Sequence, residues 1–276
     1  METKTLAVPG ATLHYEVRGA GPVLLLICGG VYDAAAFAPL AGALADRYTV
    51  VTYDRRGNSR SPLDGVPGPQ RIEEHGDDAY RILGEVGTPA YVFGNSSGAI
   101  VGLELAARHP EAVRVLVAHE PPLFELLPER DHWRGVIRDV EAAFKAGGSA
   151  AAGRVLGEAL GMGGGQDDGR VPGGGVLDPE MAAMLARFAV NNEFFLEFEV
   201  PPFSRYAPDA AALKGVTTRV VPVAGAASAG EPPARAAYAV GELLGVPVET
   251  FPGDHGGFGL EVEAFARRLD EVITAG

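Results

Sequence analysis

Gly94-Asn95-Ser96-Ser97-Gly98 follows a short apolar run, Ala90-Tyr91-Val92-Phe93, and opens an amphipathic one, Ala99 to Ala107. This is G-x-S-x-G between a strand and a helix, the pattern of a nucleophile elbow. Gly and Ser alone form turns anywhere; the strand before and the helix after give the pattern its meaning. The turn is so tight that side chains flanking the central serine would collide, hence a glycine on each side. The serine hydroxyl is lifted above the sheet edge at the positive end of a helix. The stretch therefore marks Ser96 as a serine nucleophile.

Working outward, short continuous apolar runs recur at Val23–Ile27, Tyr48–Thr52, Ala90–Phe93, Val113–Ala118, Arg219–Ala224 and Val246–Phe251. Such runs suit strands buried on both faces of a parallel sheet. Helical patterns separate most of them: Ala34–Arg47, Glu74–Glu85, Ala99–Arg108, Pro233–Leu244 and Leu260–Ala275. The alternation predicts a mostly parallel sheet with helices on both faces, joined by right-handed crossovers. Before it, Lys4–Val8 and Thr12–Val17 alternate as an antiparallel hairpin turning at Pro9-Gly10. Between Pro121 and Lys214 the rhythm stops, and helical segments at Leu123–Leu127, His132–Ala146, Gly153–Leu160 and Pro179–Phe198 replace it. A Gly-rich stretch, Gly161–Gly175, interrupts them as a flexible loop. The division is a core of residues 1–120 and 215–276 with a helical cap, 121–214, inserted over the strand ends.

A serine hydroxyl needs a base. Phe251-Pro252-Gly253-Asp254-His255-Gly256-Gly257 puts His255 in a Gly-rich loop after the last strand, on the edge that carries Ser96. His14, His75, His109 and His132 read as surface or helix-end residues; His255 reads as the general base. The base needs an orienting carboxylate. The loop after Arg219–Ala224 has none before Glu231, whereas Glu120 in Ala118-His119-Glu120-Pro121 stands at a strand's end. Glu120 is the first choice, with Glu231 second and Asp254 or no acid behind them. His119 should point the other way, since strand residues alternate. The tetrahedral oxygen needs backbone donors: the Ser97 amide, and Gly30 or Val31 in the turn Cys28-Gly29-Gly30-Val31-Tyr32-Asp33. Cys28 reads as a buried small hydrophobe, Asp33 as a helix cap, and Asp54–Ser61 as a structural loop. Phe188, Phe194, Phe195, Leu196, Phe198 and Phe203 are candidates for a substrate pocket, Phe194, Phe195 and Phe198 first among them, with an aromatic cap core as the alternative.

Composition narrows the partners. The chain carries 36 acidic against 23 basic residues, a net charge of −13, which argues against nucleic acid or anionic membrane. No apolar run approaches the roughly 18 residues of a membrane span, and no signal-peptide pattern opens the chain. With a single cysteine there is no internal disulfide. The expectation is a cytoplasmic monomer or homodimer acting on a small molecule, with no cofactor and no metal.

Together the Gly29-Gly30 turn, Asp54-Arg55-Arg56-Gly57, Gly94-Asn95-Ser96-Ser97-Gly98 and Gly253-Asp254-His255-Gly256 resemble the α/β-hydrolase family over nearly the whole chain. The resemblance implies an eight-stranded, mostly parallel sheet with a helical cap, and a triad in the order serine, acid, histidine. Three departures stand out. The usual His-Gly before the oxyanion turn is Cys28-Gly29. The Arg-Gly-x-Gly loop reads Arg56-Gly57-Asn58-Ser59. The usual acid loop lacks a carboxylate before Glu231. A Glu after the strand following the nucleophile helix occurs in certain haloalkane dehalogenases, which favours Glu120. Those enzymes and the epoxide hydrolases use Asp as nucleophile, so Ser96 argues against both activities. The expectation is hydrolysis of a small or medium ester or lactone through an acyl-enzyme. Carbon–carbon or amide hydrolysis, acyl transfer and non-catalytic ligand binding are the alternatives.

Overall fold

Each buried strand sends alternate residues to opposite faces, so an unbroken apolar run needs a core on both sides. The computed structural model, which describes residues 1–161 and 179–275 (179–181 by backbone alone), shows this arrangement. Its strands are β1 (Glu2–Val8), β2 (Ala11–Arg18), β3 (Val23–Ile27), β4 (Thr49–Tyr53), β5 (Ala90–Asn95), β6 (Val113–His119), β7 (Arg219–Gly225) and β8 (Glu249–Phe251). They form one sheet in the order β1-β2-β4-β3-β5-β6-β7-β8. β2 pairs antiparallel with β1 and β4, and β4 through β8 run parallel. Leu25 and Ile27 of β3 join one apolar cluster while Leu24 and Leu26 join the other.

The core helices are α1 (Ala38–Leu44), α2 (Ile72–Val86), α3 (Ser97–Arg108), α8 (Pro232–Leu244), α9 (Gly257–Leu260) and α10 (Val262–Thr274). Two expected helices are subdivided. Ala34–Phe37 is a 3-10 turn ahead of α1, and the last helical stretch breaks at Glu261 between α9 and α10. Asp33 caps the 3-10 turn by accepting from Ala35 N–H at 3.0 Å, the role expected of it.

Between β6 and β7 lie α4 (Arg130–Ala159), α5 (Pro179–Phe194), α6 (Val200–Ser204) and α7 (Ala210–Gly215). α4 is broken at Gly147 and Gly148, the latter at φ 68°, where the sequence suggested two helices. The Gly-rich stretch lies, apart from Gly161, outside the described residues. After α5 the chain makes a π turn, Phe195–Glu199, before α6. Pro201 and Pro202 follow it and have no N–H to donate back along the helix. The Phe198 carbonyl instead accepts from Gln70 N–H of the core at 2.8 Å. The inserted helices thus bond to loops that follow β3 and β4, on the edge where the elbow sits. No helix among the described residues is long and apolar enough to cross a membrane.

Candidate active site

Strand β5 delivers Ser96 to the start of α3 with φ 55° and ψ −127°, a conformation that L residues rarely adopt. The flanking glycines are required by space. A Cβ on Gly94 would lie 2.4 Å from the Gly98 carbonyl oxygen, and one on Gly98 would lie 2.1 Å from that of Ile27. Ser96 itself is half-buried.

β6 ends at His119, and Glu120 turns out of the strand with φ 47°. Its carboxylate is fully buried and uses both oxygens. Oε2 accepts from His255 Nδ1 at 2.6 Å, and Oε1 accepts from Gly225 N–H at 2.8 Å. Burial pushes the Glu120 carboxyl up. The His255 hydrogen bond, the neighbouring His119 and the Gly225 N–H outweigh it and hold the group below the ordinary carboxylate range. With Nδ1–H committed to Glu120, the His255 Nε2 carries the lone pair that a base needs. The His255 side chain is 37% exposed, which leaves that edge accessible. Glu231 lies exposed at the start of α8 and makes no hydrogen bond to His255, and Asp254 Oδ1 accepts from Gly256 N–H within its own turn. No hydrogen bond joins Ser96 Oγ to the His255 ring among the described residues; such bonds commonly tighten only with substrate in place.

The end of β7 and the loop after it hold the histidine loop rather than an acid. A Cβ at Gly225 would lie 2.7 Å from the Gly253 carbonyl oxygen, so the histidine loop can approach only because this position is glycine. Ala226 and Ala227 N–H then donate to Phe251 O (2.9 Å) and Gly253 O (2.8 Å), fastening that loop to β7. Below it, Asn95 Nδ2 donates to the His255 carbonyl and bonds the His119 ring, both at 3.1 Å. Asn95 was not singled out in the sequence; its place beside Ser96 at the end of β5 was the available signal. The His119 ring packs edge-on to Phe265 and lies 6.2 Å from the ring of His255.

The oxyanion turn lies against the elbow: a Cβ on Gly29 would come 2.7 Å from Ser96 Cβ. Of the two amides expected from this turn, Gly30 N–H is already engaged. It donates to Ser97 Oγ at 2.9 Å, because the side chain next to the nucleophile reaches back across the gap. The donor expected at Gly30 is therefore taken, and Val31 N–H, like Ser97 N–H at the head of α3, has no acceptor among the described residues.

Comparison with known proteins agrees with this fold. The profile of the alpha/beta hydrolase fold family matches residues 22–160. A Bacillus subtilis (strain 168) protein named uncharacterized hydrolase YraK is 38% identical over 276 residues, covering 98% of this chain and 95% of that protein. This chain belongs to the α/β-hydrolase family. A thermophilic esterase from Thermogutta terrifontis superimposes with a TM-score of 0.74 at 16% identity, over 99% of this chain and 98% of the other. The enol-lactonase from Burkholderia xenovorans LB400 gives 0.69 at 19%, over 98% and 100%. At such identities the likeness is one of fold.

The remaining candidates of this α/β-hydrolase are placed as follows. The Asp54–Ser61 loop folds on itself, Arg60 bonding both Asp54 carboxylate oxygens at 2.8–2.9 Å. Phe194 is 8% exposed and presses its ring onto Gly57, while Phe195 packs on the core and Phe198 lies 5.4 Å from Phe194. These contacts put Phe194 in the seat between inserted helices and core. Phe188, also a candidate, stands in a second aromatic group: Tyr32 meets it at 5.4 Å and meets Phe258 at 6.1 Å. Cys28 is buried, and burial pushes its thiol up to about 12, far from a reactive thiolate. His75, expected near the surface, is fully buried and edge-on to Phe203. His14 is buried as well.

Proposed function

We propose that this protein is a serine hydrolase that cleaves small or medium esters or lactones through an acyl-enzyme on Ser96, with no cofactor in the chemistry. Ser96 attacks the carbonyl as His255 Nε2 takes its proton. Glu120 fixes the imidazole tautomer and stabilises the imidazolium that forms. The Ser97 and Val31 amides receive the oxyanion. His255 then protonates the leaving alcohol and activates the water that releases the acid. The inserted helices act as a cap over this edge.

The observation that carries the reading is the buried Glu120 bound to His255 at 2.6 Å, on the sheet edge where the elbow presents Ser96. The names of the esterase and enol-lactonase neighbours support ester or lactone chemistry over the alternatives on the same site. The test is intact-mass spectrometry after exposure to a fluorophosphonate, on wild type and Ser96→Ala. A single adduct that disappears with Ser96, followed by turnover on a panel of esters and lactones, is the expected result. A folded wild type that takes no label would make the protein a ligand-binding member of the family.

A further inference from the structure

The oxyanion turn hangs from a side chain that takes no part in the chemistry just described. Arg55 is fully buried, and its partner Glu199, at the end of the π turn in the inserted helices, is fully buried too. Arg55 Nη1 donates to the Cys28 carbonyl at 2.5 Å. Its Nη2 donates to the Gly30 carbonyl at 2.9 Å and to Glu199 Oε2 at 2.5 Å. Asn58 Nδ2 donates to the other Glu199 oxygen at 2.9 Å. The next carbonyl of the turn, Val31 O, accepts from Asn191 Nδ2 at 2.9 Å, and Asn191 is itself bonded to Ser59 N and Oγ at 2.8 Å.

A peptide unit is planar and trans, so its C=O and N–H point in opposite directions. The Gly30 carbonyl and the Val31 N–H belong to one such unit. Gly30 sits at φ +55°, where a Cβ would meet nothing within 4 Å, so neither glycine backbone nor crowding fixes how that unit turns. Arg55 fixes it. With the Gly30 carbonyl held down on the guanidinium, the Val31 N–H is aimed the opposite way. A flipped unit would present a carbonyl to the developing oxyanion, with repulsion in place of a hydrogen bond.

We propose that Arg55 is a positioning residue that aims the Val31 amide, and that Glu199 and Asn191 make this aim depend on the seating of the inserted helices. The cap then completes the oxyanion hole as well as covering the site. The planar fork is essential, since a lysine ammonium can keep the ion pair but cannot span two carbonyls and a carboxylate. The inference rests on the serine-hydrolase reading.

The test uses R55K and N191A in the full chain, with a short p-nitrophenyl ester as substrate and an alkyl boronic acid, which adds to an activated serine as a tetrahedral adduct. Removing an oxyanion donor outright costs about 10²–10³-fold in kcat. A misaimed donor in R55K is expected to cost about 10–100-fold in kcat with KM nearly unchanged, and boronate affinity should fall in parallel. N191A, which leaves no charge unpaired, is expected to lose about 3–10-fold on the same scale. A folded variant of either kind with wild-type kcat and boronate affinity overturns the proposal. So does failure of both to fold, which would make the network a stability device. Wild type without ester turnover overturns the serine-hydrolase reading and this proposal together.

Discussion

Two acid–base pairs flank the catalytic edge, and they differ chiefly in what water can reach. In Glu120–His255 the carboxylate is fully buried but the imidazole side chain is 37% exposed. In Arg55–Glu199 both side chains are fully buried. The first pair has an open face, so its proton can be exchanged with a bound molecule. The second has none: both Arg55 Nη atoms and both Glu199 oxygens are bonded to protein groups, while Arg55 Nε is buried without a partner among the described residues. Burying two charges is costly, and a sealed ion pair is weak evidence for stability in itself. What distinguishes this one is its reach, since it joins residues 144 positions apart and holds backbone carbonyls of a third segment. On the roles proposed for them, similar chemistry serves proton transfer where one partner meets solvent, and geometry where neither does.

After loss of Ser96 itself, the most damaging test of the comparison is Glu120→Gln. The amide can still accept at Gly225, but its NH₂ can face the imidazole and favour the wrong tautomer. The expected loss is about 10³–10⁴-fold in kcat with the thermal transition close to wild type. Glu231→Gln is expected to leave kcat unchanged. Steady-state kinetics with equal kcat in wild type and Glu120→Gln would remove Glu120 from the triad.

A smaller effect separates the sealed region from the open one. Gly57 stands at φ +76°, and a Cβ there would lie 2.1 Å from the Phe194 ring. Gly57→Ala adds backbone strain and overpacking at the seat of the inserted helices, and should destabilise by about 2–4 kcal/mol. Urea unfolding measures it. A change below 0.5 kcal/mol, on the order of a neutral surface substitution, would show that Phe194 is not held there.

The sheet was legible because unbroken apolar runs have few other uses, and the elbow because its two glycines are imposed by backbone within 2.4 Å. Glu120 was legible from its place. It is a carboxylate just past the end of a buried strand, and the loop after β7, from Gly225 to Gly230, carries none. The engagement of the Gly30 amide was not, since nothing in Gly29-Gly30-Val31 says that the Ser97 hydroxyl will capture it. The Arg55–Glu199 clamp was hidden further. Helical periodicity carries Pro179–Phe198 forward as one helix, and the π turn that places Glu199 over Arg55 reflects local register, which periodicity averages away. Two glutamates in an otherwise apolar stretch, Phe194 to Phe203, were the available signal, and only Glu199 of the two is buried. α7 escaped because six residues are too few to show a period.

The finest test of the comparison lies between the two extremes, at His119, which adjoins Glu120 in sequence but is as sealed as Arg55. Burial outweighs the attraction of Glu120 and lowers its imidazole from the ordinary value to about 4. A histidine held neutral in the folded state takes up a proton on unfolding at any pH between about 4 and the free value near 6.5. The unfolded state then binds more protons than the native one, so stability rises with pH across that window. Between pH 7 and pH 5 the loss from His119 alone should be about 2 kcal/mol. Glu120 lies outside this comparison: its carboxyl is held below the ordinary range, so its stabilisation is present above about 4.5 and fades only at lower pH. His119→Gln keeps an acceptor for Asn95 Nδ2 but cannot titrate. Urea unfolding at pH 7 and pH 5 should therefore show a stability drop about 2 kcal/mol smaller in the variant than in wild type. An equal drop in the two proteins would mean that His119 titrates in the folded state as it does in the unfolded one, and that solvent reaches under the catalytic edge.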